Sequence, residues 1–464
     1  MTSVLTDGGY KLVFTPGLQR QSVVANNEPC RGAYLVSSAN GVFSVHGNTV
    51  YQVDSTGTSV SRGTISTSTG PVYMADNGTQ LLIIAAGTNG YTLGISSGSP
   101  TLISDGNFPT APGRCAYLDG YFIVPQLGSA VFYLSQLIDG ADWTPVQFAS
   151  AEASPDYLVA CVVTGRQLYN IGYRSIEVWY NTGDPSFPLE RINGAYHQIG
   201  IVSGATYDDT SIAELNGTIY FIGSADAGGA AIWALNAGGI QRVSTPQIES
   251  MLLGYGSGIE WGGVAYNIDG QAFYEISSVA YGKTFLYNIT SKAWSRLEVG
   301  GACHRISAVA APSMFVGSGV LAFDRNNGNV YLMTPLFNSE NGTAIAPETG
   351  TAITRTRTFG PIQAGASRMF HHRIRFVLEI IHDTENTFTL EASLDWTDDD
   401  GLTYSTPRTL SKAITAGATG GQRVMLEAFR LGSSRKRYYR LSFVGPSIRA
   451  VLESAELEMD VGRN

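Results

Sequence analysis

Asn77-Gly78-Thr79-Gln80-Leu81-Leu82-Ile83-Ile84 is a tight-turn dipeptide followed at once by a short apolar strand. Asn-Gly tolerates the positive φ that a two-residue hairpin turn requires, so the stretch reads as the tip of a β-hairpin entering a buried strand. The same unit recurs outward in both directions. A glycine precedes an apolar strand at Gly47, Gly78, Gly120, Gly165, Gly217, Gly270 and Gly319. Asp119-Gly120, Asn216-Gly217 and Asp269-Gly270 repeat the turn chemistry. The intervals of 31, 42, 45, 52, 53 and 49 residues fall mostly in the range of a four-stranded propeller blade. Second hairpins follow within the repeats, as at Trp233-Ala234-Leu235 before Gly238-Gly239. A β-propeller of about seven blades is therefore expected over residues 1–350. The competing reading is a large sandwich with irregular hairpins, which has no need of a period near 45 residues.

Composition agrees with a chain of many short strands. The 464 residues include 54 Gly, with 11% aromatic and only 14% charged residues, against about 25% charged in ordinary globular chains. Surface so poor in charge is expected to be covered in part by partners. From about residue 352 the pattern changes to longer alternating strands, at Arg373 to Ile380, Thr387 to Leu394 and Tyr438 to Val444, with Ala450 to Val461 as the last. Residues 351–464 are read as a C-terminal β-sandwich, and Phe337 to Thr351 as the linker. Helical periodicity is confined to Ser244 to Leu253, expected as a short connector.

Charge follows the same division. Net charge is −9; residues 1–352 hold 14 Lys+Arg against 25 Asp+Glu, and residues 353–464 hold 15 against 13. An acidic larger part argues against tight binding of duplex DNA, which depends on cations at the phosphates. Cys30, Cys115, Cys161 and Cys303 form no C-x-x-C pair and read as free thiols in a reducing compartment. Met1 to Tyr10 lacks the pattern of a signal peptide, and no apolar run reaches membrane-span length.

Each catalytic pattern lacks its context. Gly94-Ile95-Ser96-Ser97-Gly98 fits a nucleophile elbow, yet Ser96 lies in a Gly/Ser turn ending at Pro100 rather than before a helix. Thr397-x-Asp399-x-Gly401-x-Thr403-Tyr404 fits the Asp-box of sialidases, whose Asp and Thr tie off a turn. Asp398 and Asp400 suggest a calcium loop, but Trp396 and Pro407 occupy ligand positions; only weak Ca²⁺ binding near Asp398 to Asp400 is left open. His371-His372 and Cys303-His304 are poor chelates, because neighbours on a strand face opposite ways, and read as surface or interface histidines. Asp208-Asp209 and Asp139/Asp142 could serve a glycosidase but read as turn acids. The sequons at Asn77, Asn216, Asn288 and Asn341 are turn chemistry. No catalytic residue, cofactor or metal is expected. The basic strand carrying Arg435, Arg437 and Arg440 is the candidate interface, either for an acidic partner or as a wet sheet edge guarded by charge.

The run Ser175-Ile176-Glu177-Val178-Trp179-Tyr180-Asn181-Thr182-Gly183, continuing through Phe187-Pro188-Leu189-Glu190-Arg191-Ile192-Asn193-Gly194 to Gly200-Ile201-Val202, resembles the packaged-DNA stabilisation or tail-hub proteins of short-tailed double-stranded DNA bacteriophages. Thr15-Pro16-Gly17-Leu18 with Cys30-Arg31-Gly32, Asp399-Asp400-Gly401-Leu402-Thr403-Tyr404, and Arg435-Lys436-Arg437-Tyr438-Tyr439-Arg440-Leu441 resemble the family in the same order. The resemblance implies a structural tail protein of the virion, assembled in the host bacterial cytoplasm. It implies a homo-oligomeric ring, a hexamer in the family, beneath the portal and its adaptor. Tail fibres or tailspikes and a plug or needle would attach, and packaged DNA would pass through the channel without sequence-specific binding. The alternative is a carbohydrate-binding or glycoside-cleaving propeller, supported by fold and Asp-box alone.

Overall fold

The computed structural model describes the chain apart from residues 1, 7–8, 37–40, 55–56, 153, 203–207, 226–228, 255–259, 299–301, 311–318, 336, 338, 344–350, 381–387, 415–421, 445–449 and 463–464. Its described contacts gather into two compact units. One holds residues 21–287 and 296–331, the other residues 1–20, 288–295 and 332–464.

The larger unit is a succession of antiparallel sheets in chain order. The first comprises Cys30–Val36, Gly41–His46, Thr49–Val53 and Ser59–Thr64. The second runs from Val72–Asp76 to Thr101–Leu102, the third from Ala116–Leu118 to Asp139–Ser150, and the fourth from Leu158–Thr164 to Leu189–His197. The fifth is built on Ala213–Leu215 and Thr218–Ala225, the sixth on Gly262–Ile268 and Gln271–Ser278, and the seventh on Ile306–Ala310, Val320–Asp324 and Asn329–Thr334. First strands of successive sheets lie side by side, except that Leu158–Thr164 of the fourth meets the turn Asp208–Ser211 before the fifth, and Ile306–Ala310 returns beside Cys30–Val36. This is the β-propeller plan: an all-β unit of mostly four-stranded antiparallel sheets arranged in a circuit.

Packing explains why the second strands are apolar without alternation. Leu81 and Ile83 pack into a core shared with Phe43, Val45 and Val50 of the first sheet, whereas Leu82 and Ile84 enter the next layer with Phe122, Val124 and Trp143 of the third. A sheet covered on both faces buries every side chain, so the period-2 signal vanishes. At about 25 cal/mol per Å², each fully buried leucine or isoleucine contributes about 1.5–3 kcal/mol. The circuit closes through one such layer, in which Val24, Val42, Tyr51 and Val53 meet Ala308, Leu321, Phe323 and Val330. Backbone ties reinforce it: the Val24 amide donates to the Gly328 carbonyl at 2.8 Å, and Ser307 Oγ to the Cys30 carbonyl at 3.0 Å.

The glycine turns hold equivalent places with one exception. Gly78, Gly120, Gly165, Gly217, Gly270 and Gly319 each lie between the first and second strands of a sheet. Gly47 lies between the second and third strands of the first sheet, so the expected equivalence fails there. The interval of 31 residues is short for that reason. Asn216 and Gly217 have φ of 52° and 79°, and Asp269 and Gly270 55° and 72°, as a two-residue hairpin turn with the twist of its strands demands. The expected connector is helix Pro246–Gly254, capped where Thr245 Oγ1 accepts from the Ile248 amide at 3.4 Å.

The smaller unit contains two antiparallel sheets. One orders Thr2–Thr6, Gly9–Val13, Ala450–Val461, Met369–Ile380 and Gln422–Ser434; the other orders Thr354–Gln363, Lys436–Val444, Phe388–Thr397 and Arg408–Ile414. Both contribute to one buried cluster, with Phe376, Leu378 and Leu426 from the first and Leu394, Tyr439 and Leu441 from the second. Here alternation survives because each sheet has one wet face. The first strands of the chain thus join the last: Leu12 and Val13 pair with Leu452 and Val451. The stretch expected as a linker contains the short strands Ser339–Thr343 and Thr351–Ala352.

Candidate interface and the centre of the circuit

Strand Gln422–Ser434 breaks its ladder opposite His371 and Arg373, with Arg430 and Gly432 at φ of 56° and 79°. A bulge of this kind leaves carbonyls without ladder partners, and buried carbonyls must be satisfied elsewhere. Arginines from the facing sheet take them. Arg408 donates to the carbonyls of Phe429 at 2.7 Å and Arg430 at 3.2 Å, and Arg437 to those of Leu431 at 2.5 Å and Ser433 at 3.4 Å.

Arg437 also makes a bidentate pair with Asp398, both contacts 2.7 Å, and packs over the rings of Trp396 and Tyr439. It is 2% exposed, so it is no surface cation. Arg440 lies three residues on and therefore on the opposite face of the strand. It pairs with Asp395 at 2.8 and 2.5 Å and stacks 3.6 Å from the centroid of Tyr404. Arg435 is exposed in the turn before the strand. The expected shared face of Arg435, Arg437 and Arg440 is thereby corrected: the bulge draws Arg437 inward, and strand alternation separates it from Arg440.

The acidic loop beside them is occupied by the protein's own groups. Asp399 accepts from the hydroxyls of Thr397 at 2.6 Å and Thr403 at 2.5 Å and from the Thr403 amide at 2.9 Å, which together hold its carboxyl down to about 2. Asp398 is taken by Arg437 and Asp400 by Lys436 at 2.5 Å. This is a tied-off Asp-box turn, in which Asp398 and Asp400 face cations and Asp399 faces the turn's own hydroxyls and amide. Among the described residues no three His, Cys, Asp or Glu side chains are placed to hold a metal ion.

The histidines divide as strand geometry requires, though not all at the surface. His372 is exposed and meets Asp460 at 2.9 Å, whereas His371 is buried against Ser434 at 2.8 Å. Burial first, then the charge of Arg437, lowers His371 to about 4. His304 is also buried, at 2.8 Å from the fully buried Glu275, which accepts from Tyr266 at 3.1 Å. The reading of His304 and His371 as surface groups is therefore corrected: both sit inside polar pairs. Cys30, Cys115 and Cys161 are buried, and burial pushes the first two thiols to about 12. Ser96 lies in an exposed bend with no helix after it.

At the centre of the circuit the sequence signal was weakest. The turn Asp208–Ser211 precedes the fifth sheet. Asp209 accepts from the Tyr73 hydroxyl of the second sheet at 2.7 Å. Arg114, which leads into the third sheet, donates to the Ile212 carbonyl at 3.0 Å and lies 5.1 Å from the Tyr73 ring centroid. Tyr274 of the sixth sheet donates to the Ser211 carbonyl at 2.7 Å. The second and fifth sheets stand three places apart in the circuit, so these bonds cross its middle. At this level side chains of the second and sixth sheets, and Arg114 before the third, are bonded to the segment that leads into the fifth. Asp209 is thus a buried structural tie, while the side chain of Asp208 lies outside the described residues.

Such a scaffold, with its tied-off Asp-box turn and its cross-circuit hydrogen bonds, belongs to the class of β-propeller proteins. A family described as Bacteriophage P22 Gp10, beta-propeller, of the phage-stabilisation type, matches residues 1–335, and the chain belongs to that family. Its role is accordingly structural and tail-related, in DNA stabilisation, rather than enzymatic. No curated protein matches the chain. Among solved structures, the WD40 propeller domain of Doa1 is similar at 12% identity, covering 69% of this chain and 97% of that one, with a TM-score of 0.44. The RRP9 WD40 repeats are similar at 13%, covering 70% and 99%, with a TM-score of 0.44.

Proposed function

We propose that the protein forms a ring in the phage tail, beneath the portal and its adaptor, and helps retain the packaged genome. The family match over residues 1–335 carries this reading. The ring is a hexamer, assembled in the host cytoplasm and carried in the virion. It anchors tail fibres or tailspikes and a plug or needle. DNA passes through the channel of the ring and is not read by sequence, in keeping with the acidic balance of residues 1–352.

In this proposal residues up to about 350 form a seven-bladed propeller and residues 351–464 a β-sandwich, with the first two strands of the chain joining the sandwich. The seven sheets closing through Val24 and Gly328, and the single core shared by the two C-terminal sheets, support that division. Arg435 and Arg440 serve the interface, and Arg437 positions the loop beneath them. Deleting the gene and supplying the chain in trans tests the role. Particles without it are expected to fill with DNA and then lose it, and particles that retain DNA and infect normally would refute the reading.

A further inference from the structure

We propose that the bulged end of the C-terminal unit in one copy docks on the outer edge of the third sheet in the next copy. The proposal rests on the ring reading above and names the surfaces that build the ring.

The donor surface follows from which arginines lack a carboxylate. On the outer face of the five-stranded sheet, Arg373 and Arg375 pair with Glu427, Glu456 and Glu458, so that face neutralises itself. At the bulged end, Arg437, Arg440 and Lys436 have carboxylate partners. Arg368, Arg408, Arg430 and Arg435 are exposed there, and none makes an ion pair among the described residues. Leu402, 85% exposed, and Phe429, 54% exposed, stand among them.

The acceptor surface has the opposite character. From Cys115 to Gly165 there is no Lys or Arg, against the five carboxylates Asp119, Asp139, Asp142, Glu152 and Asp156. Asp119 is paired with Arg166 at 3.2 Å, and Asp156 is held by the amides of Arg174 and Ser175. Asp142 and Glu152 are exposed and enter no ion pair among the described residues. Asp142 lies near the start of strand Asp139–Ser150 and Glu152 just beyond its end; that strand ends its sheet and has a neighbouring strand on one side only. That strand exposes Val146 at 69% and Phe148 at 50%.

Each surface thus offers large exposed apolar side chains beside charges that enter no ion pair among the described residues, positive on one and negative on the other. Apolar contact supplies affinity and the charges supply orientation, steering and rejection of like surfaces. Because the two patches differ, the contact is head-to-tail, the kind that closes into rings. A second copy is the occupant that carries both complements.

The test uses particles assembled in cells whose only source of the chain is a plasmid, with copies per particle counted by quantitative mass spectrometry. Arg430→Glu with Arg435→Glu is one variant, and Asp142→Lys with Glu152→Lys the other. Each alone is expected to lower incorporation at least tenfold while the purified chain keeps its wild-type Tm. Expressed together they present matched surfaces to each other, and incorporation is expected to return to at least half of wild type. Should a reversal unfold the chain, the alanine versions replace it, with a several-fold loss expected. Wild-type incorporation of either variant, or loss without rescue on co-expression, would overturn the docking proposal alone. Absence of the wild-type chain from particles would overturn the ring reading itself.

Discussion

Arg437, Arg435 and Arg440 stand within six residues on one basic segment, yet the fold gives each a different task. Replacing Arg437 with Ala strands the Leu431 carbonyl and Asp398 and is expected to cost about 3 kcal/mol. Arg435→Ala is expected to change stability by less than about 0.5 kcal/mol. Urea unfolding of both variants checks the contrast, and equal losses would contradict it. The sequence showed the charges but not the bulge opposite His371 that decides which of them is buried. Two buried histidines make a second prediction. Burial lowers His46 and His371 from an ordinary 6.5 to about 4, with a neighbouring guanidinium adding to the effect at His371. Between those values the unfolded chain binds protons that the folded chain refuses. Stability is therefore full above about pH 6.5 and declines as pH falls toward 4. The urea midpoint is expected to drop between pH 7 and pH 5, and less steeply in a His46→Asn, His371→Asn variant; parallel slopes would count against this.

Elements were legible where their signal is local. Tight turns at Asp119-Gly120, Asn216-Gly217 and Asp269-Gly270 carry their conformation in two residues, and the strand Ala450–Val461 was readable from its own alternation. Gly47 deceived because a glycine turn marks a hairpin without saying which of a sheet's hairpins it closes. The pairing of Leu12 with Leu452 had no local trace, since its partners lie at opposite ends of the chain. A substitution at each kind of glycine tests the account. Gly217, at φ 79°, would place a Cβ no nearer than 4.0 Å to Thr164 Oγ1 but lacks the backbone for a β-branched residue, so Gly217→Val is expected to cost about 1–3 kcal/mol, chiefly through strain. Gly32 is limited by space instead: a Cβ there would lie 2.1 Å from the Val72 carbonyl oxygen of the neighbouring sheet. Gly32→Ala is expected to lower Tm by separating those strands, with accelerated amide exchange in Val72–Asp76.

At the scale of the molecule, the bonds that cross the circuit bear on what the propeller does. Tyr73, Arg114, Asp209 and Tyr274 come from four places along the chain, and nothing in the sequence links them. They show why Asp209, a turn acid in sequence, is a structural tie in the fold. Tyr73→Phe removes one cross-circuit bond and is expected to cost about 1 kcal/mol, whereas Asp209→Ala also exposes a void and should cost more. Neither change should affect turnover of glycosides or esters, which is expected to match the buffer blank; activity abolished by Asp209→Ala or Asp399→Ala would contradict a structural role. The central claim is that copies of this chain form a ring in the phage tail, and electron cryo-microscopy of the purified parent particle tests it most directly. The account predicts a closed ring of identical copies beneath the portal, each fitted by the propeller unit. A tail region in which no density accepts that unit, in particles with a complete tail, would contradict it.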